Sequence, residues 1–85
     1  MIWNAEKNAQ LIETRNVSFE EVVFWVSIGG LLDIVKHPLP KYGHQKMLIV
    51  QIHNYAYLVP FVEEEDYLFL KTIIPSRKAT KKYLR

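Results

Sequence analysis

Residues 46–62 read KMLIVQIHNYAYLVPFV. Around Asn54 the run divides into two halves, 46–53 and 55–62, rich in β-branched and aromatic residues and joined by turn-forming types, which predicts a β-hairpin. Leu48, Val50 and Ile52 alternate with Met47 and Ile49, so the first strand is apolar on both faces. An antiparallel sheet with one solvated face would show polar residues at every second position. Both faces of this hairpin therefore need cover. Pro60 is awkward within the second strand and predicts a bulge or a backbone position facing out of the ladder.

Toward the C-terminus, the acidic turn 63–66 leads to a last strand predicted at 67–74, where Leu68 and Leu70 alternate with Tyr67 and Phe69. Toward the N-terminus, the loop HPLPKYGHQ (37–45) excludes regular structure through Pro38, Pro40 and Gly43, and 31–35 is a further short strand. Ahead of these lie two helices. Asn4 is the expected N-cap of the first, which runs to about residue 14 and ends at Asn16. Ser18-Phe19-Glu20-Glu21 fits a capping box for the second, with Phe19, Val22, Val23 and Val26 at helical spacing and Gly29-Gly30 as its stop. Ile2 and Trp3 suit a short opening strand. The expectation is one α+β domain, residues 1–85: two N-terminal helices packed on an antiparallel sheet of about four strands, with a short C-terminal helix permitted by KATKKYL.

Two helices cover one side of such a sheet but not both sides entirely. Tyr55, Tyr57 and Phe61 are candidates for the remaining apolar surface. Residues alone leave two accounts open: loops and the C-terminal segment cover it, or a partner docks there.

Nearly half of the 85 residues are hydrophobic, but charge interrupts every apolar run, which excludes both a disordered chain and a membrane span. The absence of cysteine removes disulfides and thiolate metal sites. The opening MIWNAEKNAQ has Glu6 and Lys7 where a signal peptide needs apolar residues, so a cytoplasmic address is expected. Charge is unevenly spread. Residues 1–62 are balanced, 63–76 are acidic, and 77–85 hold Arg77, Lys78, Lys81, Lys82 and Arg85 with no acid.

Catalytic signatures are sparse. Gly29-Gly30 lacks the spacing of a phosphate-cradling loop, and His37, His44 and His53 do not pair at metal-ligand spacing on a helix, so neither metal nor cofactor is expected. What remains is basic and aromatic: Lys41, Tyr42, His44 and Lys46 in and after the loop, and Arg77, Lys78, Lys81, Lys82 and Tyr83 after the last strand. If both groups meet at one sheet edge, they form a positive surface with rings for base stacking, which suits RNA. Metal-independent cleavage of RNA needs proton transfer and cations at the developing phosphorane. His44 fits the first role and Lys46 and Arg77 the second; His44 as an ordinary loop residue is the other reading.

Three stretches resemble the BrnT family of toxins from type II toxin-antitoxin pairs: IWNAEKN (2–8) with NVSFEEV (16–22), YGHQK (42–46), and IIPSRKAT (73–80). The resemblance implies a fold like that of the RelE-type ribonucleases. It implies an endoribonuclease that arrests growth, bound and neutralised in a hetero-oligomer by a small DNA-binding antitoxin of ribbon-helix-helix type. By resemblance Lys7 fits the family's opening lysine, Lys46 takes the place of an arginine, Arg77 matches the closing arginine and Glu63 a family glutamate. Together with the residue reading, catalysis is expected of His44, Lys46 and Arg77, and RNA binding of Lys7, Lys41, Tyr42, Lys78, Lys81 and Lys82. Glu64 and Thr72 stand where the family often carries arginine. A non-catalytic module that docks a partner through an aromatic sheet face is the alternative.

Overall fold

The computed structural model describes residues 1–43 and 45–85. Among these residues the chain runs β1 (Ile2–Trp3), α1 (Ala5–Arg15), α2 (Phe19–Ser27), β2 (Leu31–Lys36), a 3-10 turn at Pro40–Tyr42, β3 (Lys46–Ile52), β4 (Tyr55–Glu63), β5 (Leu68–Leu70), β6 (Ile74–Pro75) and α3 (Arg77–Leu84). The class is α+β, as expected, and α3 realises the permitted C-terminal helix. No helix of the described residues is long and apolar enough to cross a membrane.

The 46–62 hairpin is the centre of the sheet. β3 and β4 pair antiparallel from Lys46↔Phe61 to Ile52↔Tyr55 without a bulge, and His53 takes the left-handed conformation (φ 56°) in the two-residue turn. β2 flanks β3, while β5 and β6 pair with different parts of β4. The sheet is larger than four strands and mixed, because β1 joins β5 in parallel, Ile2 opposite Phe69.

The last strand, expected as one run over 67–74, is two short pieces. β5 pairs with Phe61–Glu63 and β6 with Tyr57–Leu58, so Pro60 faces the gap between them. Its carbonyl accepts from the Lys71 N–H at 2.8 Å, but it has no N–H to return. Of the two expectations the bulge is absent and the other holds: the Pro60 backbone faces out of the β3–β4 ladder, where the neighbouring strand is interrupted.

Both helical termini form as the residue types dictate. Asn4 Oδ1 accepts from the Lys7 N–H, Asn16 ends α1 in the left-handed conformation (φ 54°), and Ser18 with Glu21 completes a capping box. Gly30 is required where it stands. A Cβ there would lie 2.7 Å from the Trp25 carbonyl oxygen and 2.9 Å from that of Gln51.

Alternation along the hairpin sorts the core into two layers. Leu48, Val50, Ile52, Val59 and Phe61 pack with Leu11, Val17, Phe19 and Val22 beneath α1 and α2. Ile49 and Ala56 pack with Ala79 on the opposite face, with Leu58, Tyr83 and Leu84 against them. That is the physical reason the strands are apolar at every position: α1 and α2 cover one face and α3 the other. The apolar surface expected at Tyr55, Tyr57 and Phe61 is correspondingly altered. Phe61 is buried, and Tyr57 packs against the larger layer. Exposed large apolar groups lie instead on α2 (Val23, Phe24), at Ile28 after it, and on β2 (Leu31, Ile34).

Candidate nucleic-acid interface

α3 is placed by polar anchors as well as by packing. Ser76, its N-cap, donates its N–H to the Ala56 carbonyl and accepts from the Ala79 N–H, both at 3.0 Å. The buried Thr80 hydroxyl accepts from the Ala56 N–H at 2.9 Å and donates to the Ser76 carbonyl at 2.8 Å. At the other end, the Tyr83 hydroxyl donates to Asp33 Oδ2 on β2 at 2.6 Å. That bond first, then the Ile34 N–H, holds the Asp33 carboxyl below its usual range, with Lys82 adding to the effect. The same bond raises the Tyr83 phenol.

Ala79, Thr80, Tyr83 and Leu84 therefore face the sheet, and helical spacing sends every cation outward. Arg77, Lys81 and Arg85 follow one another at four-residue intervals; with Tyr55 and Thr80 they line a hollow of about 330 Å³. Lys78 and Lys82 occupy the other flank, beside Lys36 of β2. Unopposed like charges repel, and Arg77 and Lys78 stand at a helix N-terminus, where the backbone dipole favours anions. An arrangement that opposes local stability in this way is expected of a site built for an anionic ligand. Tyr55 and Tyr57 pack edge to face, 5.8 Å between centroids, and Tyr55 lines the hollow.

Lys46 and Arg77, expected to share one site, are anchored at different points along β4. Lys46 opposes Phe61, whereas Ser76, next to Arg77, bonds to Ala56. Phe61 and Ala56 are separated by five steps of β4, about 17 Å at 3.3 Å per residue. Lys46 Nζ is 3.5 Å from Glu63 Oε1, at the start of the acidic turn, where the field disfavours phosphate. Lys36 lies directly opposite Lys46, a like-charge pair for which Glu63 compensates.

Lys7 is in the first turn of α1, whose Leu11 packs in the layer on the far face of the sheet from α3. Lys41 and Tyr42 sit on the 3-10 turn, with the Lys41 ammonium 5.1 Å from the Tyr42 ring centre and that ring 4.7 Å from His37. His37 Nδ1 accepts from the Leu39 N–H at 3.2 Å. His44 lies outside the described residues. Of the expected site, α3 thus unites Arg77, Lys78, Lys81 and Lys82, and leaves Lys7 and Lys46 apart from them.

Sequence reasoning did not place Arg85 or Lys36 among the binding groups, and it had Tyr55 only as part of an apolar partner surface, not of a nucleic-acid site. Arg85 was discernible, since it continues the spacing of Arg77 and Lys81; Tyr55 and Lys36 reach this surface only through strand pairing. Comparison with known protein families, with curated proteins and with solved structures finds no match to this chain.

Proposed function

We propose that this chain binds RNA along α3 and is the BrnT-like toxin of a type II toxin-antitoxin pair, a metal-independent endoribonuclease acting in the cytoplasm and neutralised by a ribbon-helix-helix antitoxin. One observation carries the binding part: four cations of α3 and Arg85, which caps it, with no acid among them, lie on the outer side of a helix that buried groups fix to the sheet. The BrnT-like stretches supply the toxin part. Arg77, Lys81 and Arg85 are the cations for a scissile phosphate, replacing the Lys46–Arg77 pairing, and each contact made in the transition state contributes about 2–4 kcal/mol.

The separation of Lys46 from Arg77 favours a second reading, a binding module without catalysis. Incubating the chain with labelled RNA in excess chelator separates the two. Cleavage that Arg77→Ala lowers at least about a hundredfold, with folding intact, supports the ribonuclease. Retained but uncut RNA supports the module, and RNA that is neither retained nor cut excludes both. Expression without a partner is the companion test: growth arrest relieved by Arg77→Ala is expected of the toxin.

A further inference from the structure

The second flank of α3 borders a groove that differs from the first. Leu58, Ile49 and Met47 of the sheet, Ala79 and Tyr83 of α3, and Pro38 of the loop after β2 line about 320 Å³. Lys36, Lys78 and Lys82 line it too, and among the described residues no carboxylate does. The neighbouring acid, Asp33, already accepts from the Tyr83 hydroxyl and the Ile34 N–H. Between Lys78, Lys82 and Tyr83, α3 presents the Cβ of Ala79, and this small side chain leaves room over the sheet.

A hydrocarbon-lined space with ammonium groups at its margin selects a ligand with a flat, weakly polar body and attached negative charge. Its volume is at the small end of the roughly 300–1,000 Å³ of ligand sites, enough for one ring system rather than for a helix. Nucleotides of a single strand match this description, because an unstacked base can be inserted while the phosphates on either side stay at the surface. Bases of a duplex stay stacked and cannot enter. The cation-lined hollow of Arg77, Lys81 and Arg85 lies across the same helix, so one strand can engage both flanks.

We infer that this groove receives one unpaired nucleobase of single-stranded RNA, with an adjoining phosphate on Lys78 and Lys82. The inference rests on the RNA-binding reading above and names the form of RNA that the surface takes.

The test uses the whole chain in excess chelator with a 4-thiouridine-bearing 2′-O-methyl oligoribonucleotide, which lacks the 2′-hydroxyl that cleavage needs, irradiated and mapped to the residue by fragmentation of the adduct peptides. Adducts are expected at Met47, Leu58 or Tyr83, with the single strand bound at least about tenfold tighter than a duplex of the same sequence. Pro38→Glu, an exposed change at the groove, should lower single-strand affinity about tenfold, lower duplex affinity much less, and leave the melting temperature unaltered. RNA retained with adducts confined to Tyr55, or duplex bound as tightly as single strand, overturns the groove and leaves RNA binding by α3 standing. Retention of neither RNA overturns both. Binding of an acidic amphipathic peptide in the groove without competition from RNA assigns it to a protein and also overturns the inference.

Discussion

Two buried side chains of the least conspicuous kind hold the elements in register. Asn8 Oδ1 accepts from the Phe19 N–H at 2.8 Å and its amide donates to Glu20 Oε1 at 2.7 Å, which ties α1 to the start of α2 and lowers the pKa of Glu20. Thr80 does the same between α3 and β4. Asn8→Ala leaves the Phe19 N–H unpaired and Thr80→Val leaves that of Ala56, each a buried donor without an acceptor. Each change should cost about 1–3 kcal/mol in urea unfolding, and Thr80→Val should cost more than the same substitution at exposed Thr14. Neither role was legible in the sequence. Both residues stand in helical runs among polar neighbours, and their partners are on other elements.

At the scale of the element, α3 carries opposing demands. Arg77→Glu replaces a cation with an anion at the helix N-terminus, so it should raise stability by about 0.3–1 kcal/mol while weakening RNA retention. Gain of both, or loss of both, would contradict the functional reading of the helix. The Tyr83–Asp33 bond makes its docking depend on pH. Asp33 has a lowered folded pKa, so its contribution is present above the unfolded value near 3.9 and lost as pH falls through the folded one. Tyr83 has a raised folded pKa, so its contribution is present below about 10 and lost as pH rises through the folded value. The melting temperature of Tyr83→Phe should therefore lie below that of the unaltered chain between about pH 5 and 9, and the two curves should converge at both extremes.

Across the whole molecule, charge divides by location. Arg77 follows the Ser76 anchor at Ala56, at one end of β4, and the Lys46–Glu63 pair with the acidic turn occupies the other, while Lys78 and Lys82 border the groove shared with Lys36 and Met47. Single-stranded RNA held by at most six cations, five in residues 77–85 and Lys36, should show a log–log salt dependence no steeper than about −4, at roughly −0.7 per phosphate neutralised. Lys46→Ala should leave that slope and the affinity unchanged, while Lys81→Ala should reduce both. Equal losses from the two substitutions would mean that the RNA path includes the acidic end. Val23, Phe24, Ile28, Leu31 and Ile34 remain exposed on α2, on the turn after it and on β2, away from the sheet-facing side of α3.

Local chemistry written in consecutive residues determined the hairpin, the caps at Asn4 and Ser18, the helix stops and the charged character of residues 77–85, because each depends on neighbours a few positions apart. Even Pro60 was recognisable as a disruption. Tertiary structure alone decided that its missing N–H would divide the strand on the other side, that Ile2 and Trp3 would pair in parallel with β5, and that Arg77 would gather Lys81, Arg85 and Tyr55 rather than Lys46. Those outcomes depend on which distant strands meet and in what register, and side-chain periodicity fixes the face a residue occupies without fixing the end of the sheet at which it lies.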